Sequence, residues 1–276
     1  MTNKPLIICR GGGDLATGIV YRLTKSGFRV LILETEKPAA IRRQVSFCEA
    51  VYDGQTQVEE ITCVKIHDIS QAELIWKRHQ VPLLVDPAGD AIRNLKPDIV
   101  VDAIIAKRNL GTTMDMAPLV VGVGPGFTAG RDVHVVVETM RGHNLGRLIT
   151  AGSAMPNTGI PGIIGGYAAE RVLHAPAAGC MENTRFIGDV VKQGEEIARI
   201  HTADGNCVKV EATIDGIIRG LIRSDYQVTA GFKIADIDPR LGELQNCFTI
   251  SDKSRAIAGS VLEAVCTYLN SRGEMA

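Results

Sequence analysis

Residues 120–147, VVGVGPGFTAGRDVHVVVETMRGHNLGR, carry the pattern from which the architecture of this chain is predicted. A glycine-rich turn at 122–130 lies between two apolar runs, and a second, polar turn follows at 141–147. The run between the turns, 133–139, is rich in β-branched residues and predicts a buried strand of a mostly parallel sheet. Strand ends that meet glycine turns beside Arg, His, Asn and Glu indicate a ligand site.

The chain opens with a related pattern. An apolar run at 6–9 leads into RGGGDLATG at 10–18, an amphipathic segment follows to residue 25, and a second apolar run at 29–33 ends in Glu34. Glycines let a backbone approach a phosphate, a helix N-terminus offers free N–H groups, and an acid after the second strand can bind a ribose hydroxyl. The pattern predicts that Gly11, Gly13 and Glu34 hold a ligand.

Two features leave this first turn open to another interpretation. The glycine spacing departs from the strict dinucleotide-binding pattern, and Asp14 places an anion where a pyrophosphate would lie, although it can also cap the helix. A tight turn between strand and helix, without a nucleotide, is the alternative. Beyond the second strand, Arg42 and Arg43 can bind phosphate bidentately, or they form a solvated pair on a surface turn.

Strands and helices continue to alternate up to residue 150, which predicts an α/β domain with a Rossmann-like, mainly parallel sheet over residues 1–150. A glycine-rich linker is predicted at 151–171. Residues 172–240 show short strands, a hairpin tip at 204–206 and a weak internal repeat, which predict a small all-β domain. The remaining segment, 241–276, contains a predicted helix at 251–268 that packs on the core.

The all-β segment resembles the biotinyl/lipoyl-type barrel-sandwich domain in the phrase GDVVKQGEEIARI at 188–200. Carriers of that family bear the modified lysine at the hairpin tip. The tip of this chain, ADGN at 203–206, contains no lysine, and Lys209 lies in a strand-like run. We therefore expect a barrel-sandwich fold without the carrier role.

Composition narrows the class of protein. Apolar residues make up 45% and charged residues 22% of the 276 residues, as in ordinary globular proteins, and the formal net charge is −1. The charge predicts no nucleic-acid partner, and apolar runs are too short to predict a membrane span. The seven cysteines are odd in number and form no C-x-x-C pair, which favours a reducing, cytoplasmic location.

The motifs RGGGDLATG at 10–18, RRQVSFCEAVYDG at 42–54 and the central 120–147 segment together resemble the YqeB-type family. The resemblance extends over roughly residues 5–270. That family consists of accessory proteins found with selenium-dependent molybdenum hydroxylases. The resemblance implies a role in maturing such a hydroxylase, with the hydroxylase apoprotein as a partner, and it carries over no catalytic residues.

Three interpretations of the central segment stay open. In the first, the two glycine turns and the guanidinium groups of Arg131, Arg141 and Arg147 hold a phosphate-bearing ligand, a molybdenum-pterin cofactor or a nucleotide. In the second, His134, Glu138 and His143 bind a metal. His134 and Glu138 lie about 13 Å apart along a strand, so we predict no metal site. In the third, the glycines only form turns, the valines form the core, and the His and Arg residues stabilise the interface between the predicted domains.

The first interpretation leads to a specific set of residues. The predicted cofactor-binding residues are Gly11, Gly13, Asp14, Glu34, Arg42, Gly124, Gly126, Arg141 and Asn144. Gly124, Gly126, Arg141, His143 and Asn144 are predicted to form a wall that faces the first glycine turn, which we call the facing wall. His143 is the predicted proton-transfer group, because a histidine is the side chain of this wall that titrates near neutral pH. Alternatives from other classes are an NAD(P)-dependent oxidoreductase and a non-enzymatic scaffold for the hydroxylase. A homo-oligomer is also expected.

Overall fold

The computed structural model describes residues 4–159 and 162–273 and divides the chain into two compact units. The first unit consists of Met1–Pro38, Ser46–Thr158 and Ile250–Ala276. The second consists of Ala39–Val45 and Gly159–Thr249. The C-terminal helix therefore belongs to the same unit as the N-terminal strands.

The first unit is built on a sheet of nine strands within the described residues, in the order β10-β9-β7-β6-β1-β2-β5-β4-β3. Strands β8 and β11 pair separately. The bounds are β1 Leu6–Arg10, β2 Arg29–Glu34, β3 Gln55–Val58, β4 Ile61–Ile66, β5 Val81–Val85, β6 Ile99–Asp102, β7 Leu119–Val123, β8 Thr128–Ala129, β9 Val135–Val137, β10 Leu148–Ile149 and β11 Gly152–Ser153.

The middle of this sheet is parallel and its edges are antiparallel. Strand β1 pairs in parallel with β2 and β6, and β7 pairs in parallel with β6 and β9. At the edges, β3 runs antiparallel to β4, and β10 runs antiparallel to β9. The carboxyl ends of β2, β1, β6, β7 and β9 therefore meet at one edge of the sheet, which we call the carboxyl edge.

Five α-helices lie in the described part of the first unit: α1 Asp14–Lys25, α2 Ala50–Asp53, α3 Ala72–Lys77, α4 Asp90–Leu95 and α5 Asp252–Ser271. Helix α1 buries Ile19, Val20 and Leu23 at helical spacing. It packs on α5, whose Ile257 and Val265 are fully buried. Helix α5 begins at an N-cap, Ser251, whose hydroxyl accepts the Ser254 N–H at 3.2 Å.

The second unit consists of two four-stranded antiparallel sheets, ordered β12-β19-β17-β14 and β16-β15-β13-β18. Their side chains enclose a core that includes Met181, Ile197 and Ile217. The predicted hairpin tip at 204–206 is confirmed, since it joins β15 to β16. The strands are β12 Val172–His174, β13 Gly179–Asn183, β14 Val190–Val191, β15 Glu196–His201, β16 Cys207–Glu211, β17 Gly216–Leu221, β18 Gln227–Val228 and β19 Lys233–Asp238.

The predicted fold class, a Rossmann-like domain followed by a biotinyl/lipoyl-like barrel-sandwich domain, is wrong. The large sheet is mixed, and in the described residues β6 reaches β7 through a loop with a single 3-10 turn, Met114–Met116, rather than through an α-helix. The second unit has two separate antiparallel sheets. Apolar runs and glycine turns locate strands, but partners and direction depend on contacts between distant residues, so the pattern did not determine the fold.

None of the helices described in the structure is long and apolar enough to cross a membrane.

Candidate functional site

The carboxyl edge brings together most of the residues that the sequence singled out. The turn after β1 contains Gly11–Gly13, β2 ends in Glu34, β6 ends in Asp102, and the turn after β7 contains Gly124 and Gly126. In open α/β sheets, ligands bind outside the carboxyl ends of the strands. This edge is therefore the candidate site.

The first glycine turn is packed tightly against its neighbours. Gly11 has a φ of +96°, and a Cβ on it would lie 3.0 Å from the Ile104 Cα atom. The Gly12 N–H donates to Glu34 Oε2 at 2.8 Å, and the Thr35 N–H donates to Glu34 Oε1 at 2.8 Å. Burial raises the pKa of Glu34. Both carboxylate oxygens thus accept hydrogen bonds from backbone N–H groups. Glu34 therefore stabilises the glycine turn rather than presenting a free acceptor to a ribose.

The start of α1 is the open part of this turn. Gly13 is the N-cap residue and offers no side chain to the helix, and among the described residues no atom lies within 4 Å of a Cβ built on Gly13. Asp14 Oδ1 accepts the Leu15 N–H at 2.9 Å, so this carboxylate binds the helix backbone. The start of α5 lies beside it, because Ser254 Oγ donates to the Asp14 carbonyl at 3.1 Å.

Lys253 is a site residue that the sequence analysis missed. It lies between Asp252, which binds Arg141, and Ser254, which binds the Asp14 carbonyl. Its side chain is half-buried, and within 4–159 and 162–273 its ammonium makes no hydrogen bond or ion pair. Burial lowers the pKa of Lys253, and the nearby Arg141 guanidinium lowers it further, while Asp14 and Glu138 oppose that effect. The sequence pattern at 251–268 predicts only a helix that packs on the core, and it gives no local signal for a site residue in the first turn.

The second glycine turn is packed on the loop that follows β6. Gly126 has a φ of +111°, and a Cβ on it would lie 2.7 Å from the Arg108 Cα atom. Gly124 has a φ of +84°, and its N–H donates to the Val137 carbonyl at 2.9 Å. The loop after β6 thus contacts both Gly126 and Gly11. The two glycine turns meet the same loop, and their glycines are required by close backbone contacts.

Of the three polar side chains predicted in the facing wall, Arg141 forms an ion pair, whereas His143 and Asn144 are exposed. The Arg141 guanidinium donates to both oxygens of Asp252, at 2.9 and 3.0 Å, at the start of α5. His143 and Asn144 are exposed, and the Asn144 carbonyl accepts the Arg147 N–H at 2.9 Å. The geometry therefore connects Arg141 to the start of α1 through α5.

His134 and Glu138, considered as metal ligands, bind local backbone. His134 Nδ1 accepts the Val120 N–H at 3.0 Å, and burial lowers the pKa of this imidazole. Glu138 is buried and accepts the N–H groups of Met140 at 2.7 Å and Met155 at 2.8 Å. Across the described ranges, no group of three or more His, Cys, Asp or Glu side chains is placed to hold a metal ion.

Arg42, one of the predicted cofactor-binding residues, binds backbone carbonyls of the second unit. Arg42 belongs to the second unit, where its guanidinium donates to the carbonyls of Asn246 at 3.0 Å and Thr249 at 3.3 Å.

Cys9, Cys48 and Cys63 are buried, and burial raises the pKa of each thiol. These thiols are therefore protonated near neutral pH.

The arrangement can bind an anion. The first turn of α1 begins at the open space around Gly13, and Lys253 lies near enough to the Asp14 carboxylate for that charge to raise its pKa. Helix N–H groups and an ammonium both favour negative charge. Phosphate has oxygen acceptors for these donors. The geometry supports ligand binding more directly than it supports a specific reaction.

Comparison with solved structures gives only weak likenesses. A succinylglutamate desuccinylase/aspartoacylase from Rhodobacter sphaeroides covers 85% of both chains with 12% identity and a TM-score of 0.27. The product-bound ectoine utilization protein EutE (DoeB) from Ruegeria pomeroyi covers 85% of both chains with 12% identity and a TM-score of 0.26. TM-scores this low carry no argument about fold or activity.

Sequence comparison gives a stronger likeness. No family model matches the chain. The uncharacterized protein YqeB of Escherichia coli (strain K12) is 48% identical over 260 residues, which cover 94% of this chain and 47% of YqeB. The chain thus spans about half the length of this relative. None of these names mentions molybdenum or selenium. Over its aligned residues, the chain belongs to the YqeB-type family.

Proposed function

We propose that this chain binds a phosphate-bearing cofactor, a pterin or a nucleotide, at the carboxyl edge of its large sheet, as an accessory protein in the maturation of a selenium-dependent molybdenum hydroxylase. The observation that carries the binding proposal is the open start of α1 at Gly13, to which the first turn of α5, with Lys253, is joined by the hydrogen bond from the Ser254 hydroxyl to the Asp14 carbonyl. The maturation role, with the hydroxylase apoprotein as partner, rests on the resemblance of the glycine motifs to the YqeB-type family.

The start of α1 offers backbone N–H donors, of which the Leu15 N–H already binds Asp14 Oδ1. The first N–H groups of an α-helix have no carbonyl partner within the helix, and the helix dipole makes that end positive. Helix α1 has twelve residues, so this end carries a substantial part of the dipole. Gly13 has no side chain to obstruct a phosphate, and Lys253 adds a positive charge that offsets the carboxylate of Asp14.

A thermal-shift assay tests the binding proposal. The ligands are molybdopterin cytosine dinucleotide, CTP, ATP and NAD, each measured with the wild-type chain and with Gly13→Asp, Lys253→Met and Lys192→Met. A ligand at about 100 times its Kd stabilises the folded state by about 2.7 kcal/mol, which raises the unfolding midpoint. We expect the pterin dinucleotide or CTP to do so, and we expect Gly13→Asp and Lys253→Met to abolish the shift.

Lys192→Met is the matched control, because it removes the same charge at an exposed residue of the second unit, outside both ligand sites considered for this chain. Its shift should equal that of the wild type. A shift with NAD alone would favour an oxidoreductase, and no shift with any ligand would contradict the cofactor proposal. Recovery of the hydroxylase apoprotein in a pull-down, unchanged by Lys253→Met, would instead favour the scaffold alternative.

A further inference from the structure

A cavity of about 520 Å³ lies at the opposite edge of the large sheet, where β1, β2 and β5 begin. Its wall includes Lys4, Phe28, Arg29, Trp76, Lys77 and Gln80. This volume is within the range of small-molecule sites. All of these residues belong to the first unit, and none of them belongs to the carboxyl edge.

The cavity contains a flat aromatic surface that is held in place. Trp76 Nε1 donates to the Val30 carbonyl at 2.9 Å, which restrains the indole ring. The Arg29 guanidinium carbon lies 5.3 Å from the centroid of that ring, and Arg29 Nη2 donates to the Lys4 carbonyl at 2.9 Å. The stack is therefore formed before any ligand arrives, which lowers the entropy cost of binding a planar molecule.

The charges around this surface leave an excess of positive groups. The wall contains two acids, Glu60 and Glu73. Lys25 Nζ lies 2.9 Å from Glu60 Oε1, and Arg29 Nη1 lies 3.7 Å from Glu73 Oε2, so each acid already has a cation beside it.

The wall also contains donors that are not used. The ammonium groups of Lys4 and Lys77 make no ion pair or hydrogen bond to any residue that the structure describes. Thr24 Oγ1, also in the wall, is buried and lacks a hydrogen-bond partner among those residues. Because this hydroxyl has almost no accessible surface, the capacity of the wall for a ligand is the positive charge of the two ammonium groups.

We propose that this cavity binds a small aromatic anion, with its ring against Trp76 and Phe28 and its carboxylate or phosphate toward Lys4 and Lys77. Both anionic groups suit a lysine, because the ammonium acts as a point charge. The site is separate from the cofactor site proposed above and does not depend on it.

Trp76 reports directly on this cavity, since it is the single tryptophan of the chain. Its fluorescence is titrated with benzoate and with phenyl phosphate, which differ only in the anionic group. Benzamide supplies a neutral ring, and inorganic phosphate supplies an anion without a ring. We expect a saturable change with benzoate or phenyl phosphate and a much weaker response to benzamide and to inorganic phosphate. The tighter of the two aromatic anions identifies the natural anionic group.

The variants are Lys4→Met and Lys77→Met, with Lys192→Met, at an exposed lysine of the second unit, as the control of equal charge. Each of the first two should weaken binding about three- to fivefold, as expected for a partly exposed ion pair, and the control should not. The proposal would be overturned by the absence of a saturable change with either aromatic anion, by an equal response to benzamide, or by unchanged affinity in both cavity variants. The thermal-shift results of Gly13→Asp and Lys253→Met test the carboxyl edge separately, because neither residue lines this cavity.

Discussion

At the scale of single residues, the candidate site depends on a buried group of charges at the ends of β1 and β6. Arg10 is 5% exposed and Asp102 is 1% exposed. Arg10 Nη1 lies 3.4 Å from Asp102 Oδ2, and the Thr112 hydroxyl donates to the same oxygen at 2.5 Å. The Ile104 N–H donates to Asp102 Oδ1 at 3.1 Å. Asp102 thereby holds both ends of the loop that contacts the two glycine turns.

Replacement of Asp102 tests this role. We expect Asp102→Ala to lower the free energy of unfolding by about 3–5 kcal/mol, because the Arg10 guanidinium would remain buried without its counter-charge. Urea denaturation measures the change. The double variant Arg10→Met, Asp102→Leu removes both charges and should lose less stability than Asp102→Ala. If the single and double variants were equally destabilised, the ion pair would not be the cause.

Glu34 predicts a dependence of stability on pH. Burial raises the pKa of Glu34 above its usual value of 4.5, so the folded chain binds this proton more tightly than the unfolded chain. The contribution of Glu34 to stability is therefore fully present below the usual pKa and is lost as the pH rises through the raised pKa. Glu34→Gln keeps one acceptor oxygen and removes the titration.

Urea midpoints between about pH 4 and pH 8 measure this effect. The wild-type midpoint should fall relative to that of Glu34→Gln as the pH increases within that window. Glu36→Gln, at an exposed residue in the following turn, is the control and should keep the wild-type slope. A difference between wild type and Glu34→Gln that stayed constant, or changed in the opposite direction, would show that this carboxylate is not the group responsible.

At the scale of secondary-structure elements, the contact between α1 and α5 brings the start of each helix to the carboxyl edge. Gly18 in α1 allows this approach, because a Cβ at that position would overlap Ser254 Oγ and lie 3.1 Å from Ile250 Cγ2. The Ser254 hydroxyl is thus free to bind the Asp14 carbonyl, which holds the first turn of α5, with Lys253, at the start of α1. Close packing of two helices therefore positions a side chain of the candidate site.

Gly18→Ala separates packing from helix propensity. Alanine normally stabilises a helix relative to glycine, but here we expect a loss of about 1–3 kcal/mol because the added methyl group overpacks the contact with Ser254. Thermal or urea unfolding measures it. Gly259→Ala in α5 is the matched control, since the nearest atom to its Cβ would be Arg22 Nη1 at 3.9 Å. That variant should gain up to about 1 kcal/mol. Stabilisation by both substitutions would contradict the packing argument.

At the scale of the whole molecule, the large sheet presents two different edges for ligands. The carboxyl edge is lined by glycine turns, helix N–H groups and Lys253, which suit a phosphate. The opposite edge contains the Trp76 and Arg29 stack, which suits an aromatic anion. A parallel arrangement of strands makes the two edges chemically different, because helices begin at one edge and end at the other. The two proposals can therefore be tested independently in one chain.

Sequence alone determined the local structure and the family. The strand at 6–9, the strand at 29–33 and the helix at 251–268 correspond to β1, β2 and α5, since apolar spacing and glycine turns are local properties. The glycine motifs also indicated the YqeB-type family, which the identity with YqeB supports.

Only the tertiary structure decided which elements pair and which side chains meet. The mixed sheet, the two antiparallel sheets of the second unit, and the inclusion of α5 in the first unit each depend on contacts between residues far apart in sequence. For the same reason, no local pattern could place the first turn of α5, with Lys253, at the start of α1 or bind Glu34 to the Gly12 N–H. Spacing along the chain specifies periodicity, whereas burial, charge pairing and close backbone approach depend on partners that are defined only after folding.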